Sequence, residues 1–86
     1  MNPSNIAMGF YAFYIRHLAR NVDEIDIRFL DSIRKQPRSN LEWVLQYMQK
    51  EYGKYQDNKM EAGRIRKAMD YFRYLFLPRS RLQRTG

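Results

Sequence analysis

Cysteine is absent from the 86-residue chain, and histidine occurs once, at His17. The chain therefore has no disulfide framework and no thiolate metal site. Because it has a single histidine, a Ser-His-Asp triad or a histidine-rich metal site is not expected either. The glycines are isolated at positions 9, 53, 63 and 86, so no glycine-rich loop is present to hold a phosphate. These absences predict a protein that is not an enzyme, with no catalytic residues, no metal site and no cofactor.

Long apolar runs are lacking as well. The longest, IAMGFYAFYI at residues 6–15, is much shorter than the roughly 20 residues that a helix needs to cross a bilayer. No lysine or arginine precedes it, which argues against a secretory signal. We therefore expect no membrane span. The absence of cysteine fits the cytoplasm, which is the location that we expect.

The length of the chain allows one small domain and no second core. No stretch alternates apolar and polar residues for long, whereas apolar residues recur at helical spacing along the whole chain. Prolines and short polar segments divide it into four pieces. We predict an all-α fold: a single helical domain over residues 1–78, built as a compact bundle of four short helices, followed by a short basic C-terminal tail over residues 79–86.

Capping residues indicate where these helices begin. The predicted helices begin at about Ser4, Asp23, Ser39 and Asn58, and the first two end at about Arg20 and Lys35. Ser39 and Glu42 form a predicted capping box, and Asn58 with Glu61 resembles a weaker one. The apolar stripes expected to face the core are Ile6, Phe10, Tyr14 and Leu18; Ile25, Phe29 and Ile33; Leu41, Val44, Leu45, Met48, Tyr52 and Tyr55; and Ile65, Ala68, Met69, Phe72, Leu75 and Phe76.

Positive charge is concentrated at one end of the chain. The formal net charge is +7, and residues 59–86 hold eight lysines and arginines against two acidic residues, a net charge of +6. A basic face that serves only solubility does not predict such clustering. The asymmetry indicates a polyanion, or an acidic surface of another protein, as the partner.

The fourth helix interleaves its cations with tyrosines on the side away from Phe72. Lysine and arginine neutralise phosphates, while tyrosine rings stack on bases or hydrogen-bond to phosphates. The predicted residues for binding nucleic acid or another partner are Arg64, Arg66, Lys67, Tyr71, Arg73 and Tyr74, continued in the tail by Arg79, Arg81 and Arg84. We expect a contact with the phosphate backbone more than with base sequence, because no groove-reading motif is present.

A second partner surface is predicted on the first and third helices. Its residues are Trp43, Tyr47, Lys50 and Lys54 on the third helix and Phe13, Arg16 and Arg20 on the first. An exposed tryptophan beside lysines is typical of recognition surfaces, but Trp43 could equally cover a neighbouring helix. Gly9 is expected to relieve crowding where helices cross, and His17 is expected to be an ordinary surface histidine.

Two functions follow from this pattern. In the first, the chain is a small basic binding protein that contacts nucleic acid, or an assembly containing it, through the fourth helix and the tail. In the alternative, it is a protein-interaction module: an inhibitor, adaptor or structural subunit, of the kind that phages and mobile elements encode. Such a module would dock on a nucleic-acid-processing enzyme or a larger complex.

Overall fold

The computed structural model describes residues 2–78, which form four α-helices: α1 (Pro3–Leu18), α2 (Glu24–Arg34), α3 (Arg38–Gly53) and α4 (Lys59–Phe76). No strand occurs in this part of the chain. The prediction of an all-α bundle of four short helices is confirmed. The predicted tail over residues 79–86 lies outside the described residues.

The core forms where α1, α3 and α4 pack against one another. Its buried apolar residues are Ile6, Ala7, Phe10, Phe13 and Tyr14 of α1; Ile33 of α2; Leu41, Val44 and Met48 of α3; and Ile65, Ala68, Met69, Phe72 and Phe76 of α4. The ring of Phe10 lies 5.0 Å from that of Phe72 and 5.9 Å from that of Phe76, in edge-to-face contacts. These contacts join α1 directly to α4.

The helix α2 is held to this core by fewer groups. Ile33 is fully buried, and Phe29 is partly buried against the core. Asp26 is buried too, with 2% of its surface exposed, and it accepts hydrogen bonds from the guanidinium of Arg16. Because Asp26 faces α1, its neighbour Ile25 points away from the core and is 72% exposed. The predicted inward position of Ile25 was therefore wrong.

The predicted N-caps Ser4 and Ser39 are both wrong, because each helix begins at or directly after a nearby proline. The helix α1 is capped by Asn2, whose side chain accepts a hydrogen bond of 2.9 Å from the Ser4 N–H, and α3 follows Pro37 with no side-chain cap. Proline suits the start of a helix, because it lacks the N–H that would be unsatisfied there. Pro3 occupies this first position in α1, whereas Pro37 is itself the N-cap residue of α3; both helices therefore begin earlier than predicted, and Ser4 and Ser39 lie inside the first turns.

The caps of the other two helices agree with the sequence. Asp23 accepts hydrogen bonds from the backbone N–H groups of Ile25 and Asp26, and the Asp26 carboxylate accepts one from the Asp23 N–H in return. Asn58 accepts a hydrogen bond of 3.1 Å from the Glu61 N–H, which confirms the predicted start of α4. These side chains satisfy backbone donors that the helices leave unpaired.

The turn after α1 places an arginine where glycine is usual. The backbone N–H of Asn21 donates to the Arg16 carbonyl and that of Arg20 donates to the His17 carbonyl, which is a Schellman motif. Arg20 therefore has a φ of 58°, in the left-handed region that favours glycine. The motif ends α1 at Leu18, which is exposed in the last turn and not in the core as predicted.

Gly9 lies where α1 meets α2. A Cβ atom added there would lie 2.8 Å from Cζ of Phe29. Gly9→Ala is expected to destabilise the fold by about 1 kcal/mol, because overpacking costs about 1–3 kcal/mol while the alanine recovers up to about 1 kcal/mol of helix propensity. Urea denaturation measures the difference.

Gly63 provides the matched control for this substitution. It also lies within a helix, but a Cβ atom there would meet nothing within 4 Å. Gly63→Ala is therefore expected to stabilise the fold by about 0.5–1 kcal/mol. Equal effects of the two substitutions would contradict the close approach of Phe29 to Gly9.

Candidate nucleic-acid interface

The cations predicted on the last helix lie along its solvent side. We call this surface the α4 basic face; it consists of Arg64, Arg66, Lys67, Arg73, Tyr71 and Tyr74. All four cations are exposed, and Tyr74 is 75% exposed, whereas Ile65, Ala68, Met69, Phe72 and Phe76 occupy the buried side of α4. The helix thus separates an apolar side from a basic and aromatic side.

The α4 basic face consists of two rows. Arg64, Lys67, Tyr71 and Tyr74 follow helical spacing along the side nearer α1, where the Tyr71 ring lies 5.9 Å from that of Tyr14. Arg66 and Arg73 lie on the side nearer α3 and line a shallow groove with Gln49 and Tyr52. The acid between these rows, Asp70, lines the same groove.

Acidic neighbours hold two of the four cations. Arg73 pairs with Asp70 at 3.1 Å, and Arg64 pairs with Glu61 at 3.8 Å. Exposed pairs of this kind are worth about 0–1 kcal/mol, so a phosphate can compete for these arginines. Arg66 and Lys67 have no acid within 4.0 Å among residues 2–78, which leaves them the more available pair.

Four rings form a continuous row between α1 and α4, which we call the aromatic ladder: Phe13, His17, Tyr71 and Tyr74. The successive ring centroids lie 5.7, 5.3 and 6.4 Å apart, with interplanar angles of 28°, 17° and 14°. The sequence prediction treated His17 as an ordinary surface residue. His17 is exposed, but it also stacks between Phe13 and Tyr71, an arrangement that depends on how the two helices pack.

The second predicted surface forms in part. Trp43 is 60% exposed, so it does not cover a neighbouring helix, and it lines a groove with Tyr47, Lys50 and the first residues of α1. Tyr47 is half-buried against the core. Lys54 lies apart from this groove and donates a hydrogen bond of 2.8 Å to Glu51, which raises the pKa of Lys54.

The predicted contribution of α1 to that surface was wrong for Phe13. This residue is 2% exposed and belongs to the core, because α1 packs against both α3 and α4 and so buries a wide face. Arg16 is committed to Asp26, with Nε 3.4 Å from Oδ2 and Nη2 donating to Oδ1. Arg20 alone of the three is exposed and without an acidic partner in the described part.

The ion pair of Arg16 and Asp26 predicts a specific acid sensitivity. The guanidinium of Arg16, and then the backbone N–H of Asp23, lower the pKa of Asp26 in the folded chain. Since the unfolded pKa is about 3.9, this stabilisation is complete above about pH 4 and is lost as pH falls through the lower folded pKa. Asp26→Asn is therefore expected to lower stability at pH 7 and to flatten its decline below pH 4.

Urea denaturation at a series of pH values measures this effect. Asp31→Asn is the control, because Asp31 is exposed and its pair with Arg34, at 3.5 Å, is also exposed. That variant is expected to keep both the stability and the pH profile of the parent protein. An unchanged acid profile in Asp26→Asn would contradict a linkage through this carboxylate.

A cavity of about 170 Å³ lies on another side of the bundle, between α1, α3 and α4. Its walls include Met8, Met48 and Ile65, and its ionisable groups are those of Glu51, Glu61 and Tyr11 and Tyr55. Tyr11 donates a hydrogen bond to Glu61, and burial together with this carboxylate raises the pKa of Tyr11 to about 12. Carboxylates at the wall make this cavity unsuited to a phosphate.

Residues 2–78 lack two other kinds of feature. This range holds no group of three or more histidine or acidic side chains that could bind a metal ion. Nor does it contain a helix with the length and apolar character required to cross a membrane. The features that stand out are therefore the α4 basic face, the aromatic ladder and the groove at Trp43.

Comparisons with protein-family models, with curated proteins and with solved structures found no match to this chain. The fold and the surface define the molecule at the level of class: a small all-α bundle with a basic and aromatic face on its last helix.

Proposed function

We propose that this protein is a non-enzymatic, cytoplasmic nucleic-acid-binding domain that contacts the phosphate backbone through the α4 basic face. The observation that carries the proposal is the pair Arg66 and Lys67, exposed and without an acidic partner in the described chain, on the helix that also exposes Tyr74. Such cations neutralise phosphates and release counterions. The sequence continues the same charge in Arg79, Arg81 and Arg84.

Electrostatic reasoning supports a polyanion as the ligand. The chain carries a net charge of +7, and +6 of this falls in residues 59–86, so the positive charge is concentrated in the last third of the sequence. Exposed pairs such as Arg73 with Asp70 yield readily to phosphate. An extended backbone with regular negative charge matches a row of cations along a helix.

Titration at several salt concentrations tests the proposal. A labelled single strand and a labelled duplex of random sequence are titrated by fluorescence anisotropy. With about six phosphate contacts, log affinity is expected to fall against log salt with a slope of roughly −4 for a single strand and −5 for a duplex. A chain that ends at residue 78 is expected to give a shallower slope, because it lacks three arginines. Absence of binding at low salt would reject the proposal.

The groove at Trp43 supports a second candidate function, that of a protein-interaction module. Trp43 exposes 60% of its surface beside Lys50, and rings of this kind dominate the energy of many protein interfaces. An inhibitor, adaptor or structural subunit would dock an acidic and apolar partner there. This function would be favoured if a protein partner co-purified from the source cell with the parent protein but not with the Trp43→Ala variant.

A further inference from the structure

We propose that the aromatic ladder stacks on unpaired nucleobases, so that the α4 basic face selects single-stranded over duplex nucleic acid. This inference rests on the proposed function, because the cations of that face hold the strand on which the bases are carried. The site would consist of His17, Tyr71 and Tyr74, with Phe13 as its buried support.

The inner end of the ladder is fixed by the core. Phe13 packs against Phe10 with ring centroids 5.5 Å apart, and Tyr71 lies 6.2 Å from Phe10. Rings that are already ordered lose little conformational entropy when a ligand stacks on them. The inner part of the ladder is therefore pre-organised, and Tyr74 stands beside it instead of as an isolated tyrosine on a surface.

The outer end of the ladder is open. Tyr74, the last ring of the row, is 75% exposed, and His17 is exposed as well, whereas Phe13 is buried and Tyr71 is half-buried. The planes of Tyr71 and Tyr74 differ by only 14°, so an added flat ring could continue the same orientation. Each base presents a π-face suited to this, whereas bases in a duplex are already stacked on one another.

The charges around the ladder suit a nucleotide. Lys67 lies one turn before Tyr71 on the same side of α4 and has no acidic partner in the described range. Asp70, one turn before Tyr74, is the acid on this side of the helix, and Arg73 pairs with it at 3.1 Å. Because Arg73 already holds Asp70, Lys67 would be available for the phosphate of a nucleotide whose base stacks on Tyr74.

Three nucleic-acid probes, each about twelve nucleotides or base pairs long, test the inference by fluorescence anisotropy at low salt. They are oligothymidine, an abasic single strand of equal charge, and a duplex. Oligothymidine is expected to bind roughly tenfold more tightly than the abasic strand, the effect of stacking one base. Tyr74→Ala is expected to remove this difference, so that the variant binds oligothymidine no more tightly than the abasic strand. Tyr74→Phe is expected to keep it, because stacking needs the ring and not the hydroxyl.

Tyr55→Ala is the matched control, since Tyr55, which was wrongly predicted to face the core, is 37% exposed and lies outside the ladder. It is expected to bind all three probes like the parent protein. Equal affinity for oligothymidine and the abasic strand, or tighter binding of the duplex, would overturn the inference and leave the proposed function standing. Failure to bind any probe would instead reject the proposed function and favour a protein partner.

Discussion

Replacing Phe13 with alanine is expected to destabilise the fold by about 3–5 kcal/mol. The phenyl ring is 2% exposed and packs against Phe10, so its removal leaves a cavity in the core that the surrounding side chains fill only in part. Domains of this size have total stabilities of about 5–15 kcal/mol, and each lost kcal/mol lowers Tm by about 4–8 °C. Thermal unfolding followed by circular dichroism should therefore show a fall in Tm of about 12 °C or more.

Trp43→Ala is the comparison that makes this prediction specific. Both substitutions remove one large ring, but Trp43 is 60% exposed and borders a surface groove. Its replacement is expected to change stability by no more than about 0.5 kcal/mol. Similar losses in the two variants would contradict the assignment of Phe13 to the core and of Trp43 to the surface.

Phe13 was assigned to the wrong face of α1 by its helical spacing. Helical spacing placed it with Arg16 and Arg20 on a polar stripe, yet α1 contacts α3 on one side and α4 on another. A helix buried on two sides needs an apolar face wider than one stripe. Which residues lie at the border of that face is decided by tertiary packing, and spacing alone does not encode it.

Local chemistry was a better guide to where helices begin. Asp23 and Asn58 cap their helices because their short side chains satisfy backbone N–H groups nearby, a preference that needs no tertiary contact. Ser4 and Ser39 have the same chemistry, but α1 already begins at Pro3 and Pro37 already occupies the N-cap position of α3. Competing local signals, rather than long-range packing, account for these two errors.

The candidate site also has one part that the sequence predicts and one part that depends on tertiary packing. The outward position of Arg66, Lys67 and Tyr74 follows from the helical period of the apolar residues of α4, and it was predictable. The aromatic ladder was not, because its central contact joins His17 of α1 to Tyr71 of α4 at 5.3 Å. The spacing of Phe13 and His17, four residues apart, was the one signal of a stacked pair.

Neutralising Arg66 and Lys67 together is expected to weaken nucleic-acid binding roughly 60-fold at about 0.1 M salt. Two phosphate contacts contribute about 1.8 to the slope of log affinity against log salt for a duplex. If these contacts add nothing at about 1 M salt, they add a factor of about 60 to the affinity at about 0.1 M, one decade lower. The double variant Arg66→Gln, Lys67→Gln is also expected to lose about 1.8 from the slope itself. Anisotropy titrations at four salt concentrations measure both quantities.

The control for net charge comes from α2. Arg28 and Lys35 are exposed and have no acid within 4.0 Å in the described part of the chain, so Arg28→Gln, Lys35→Gln removes the same two charges from another surface. If phosphates contact the α4 basic face, this variant should keep most of the parent affinity and slope, because contacts and not total charge release counterions. Equal losses in the two variants would show that the strand is attracted by the whole molecule, and the α4 basic face would then not be the binding site.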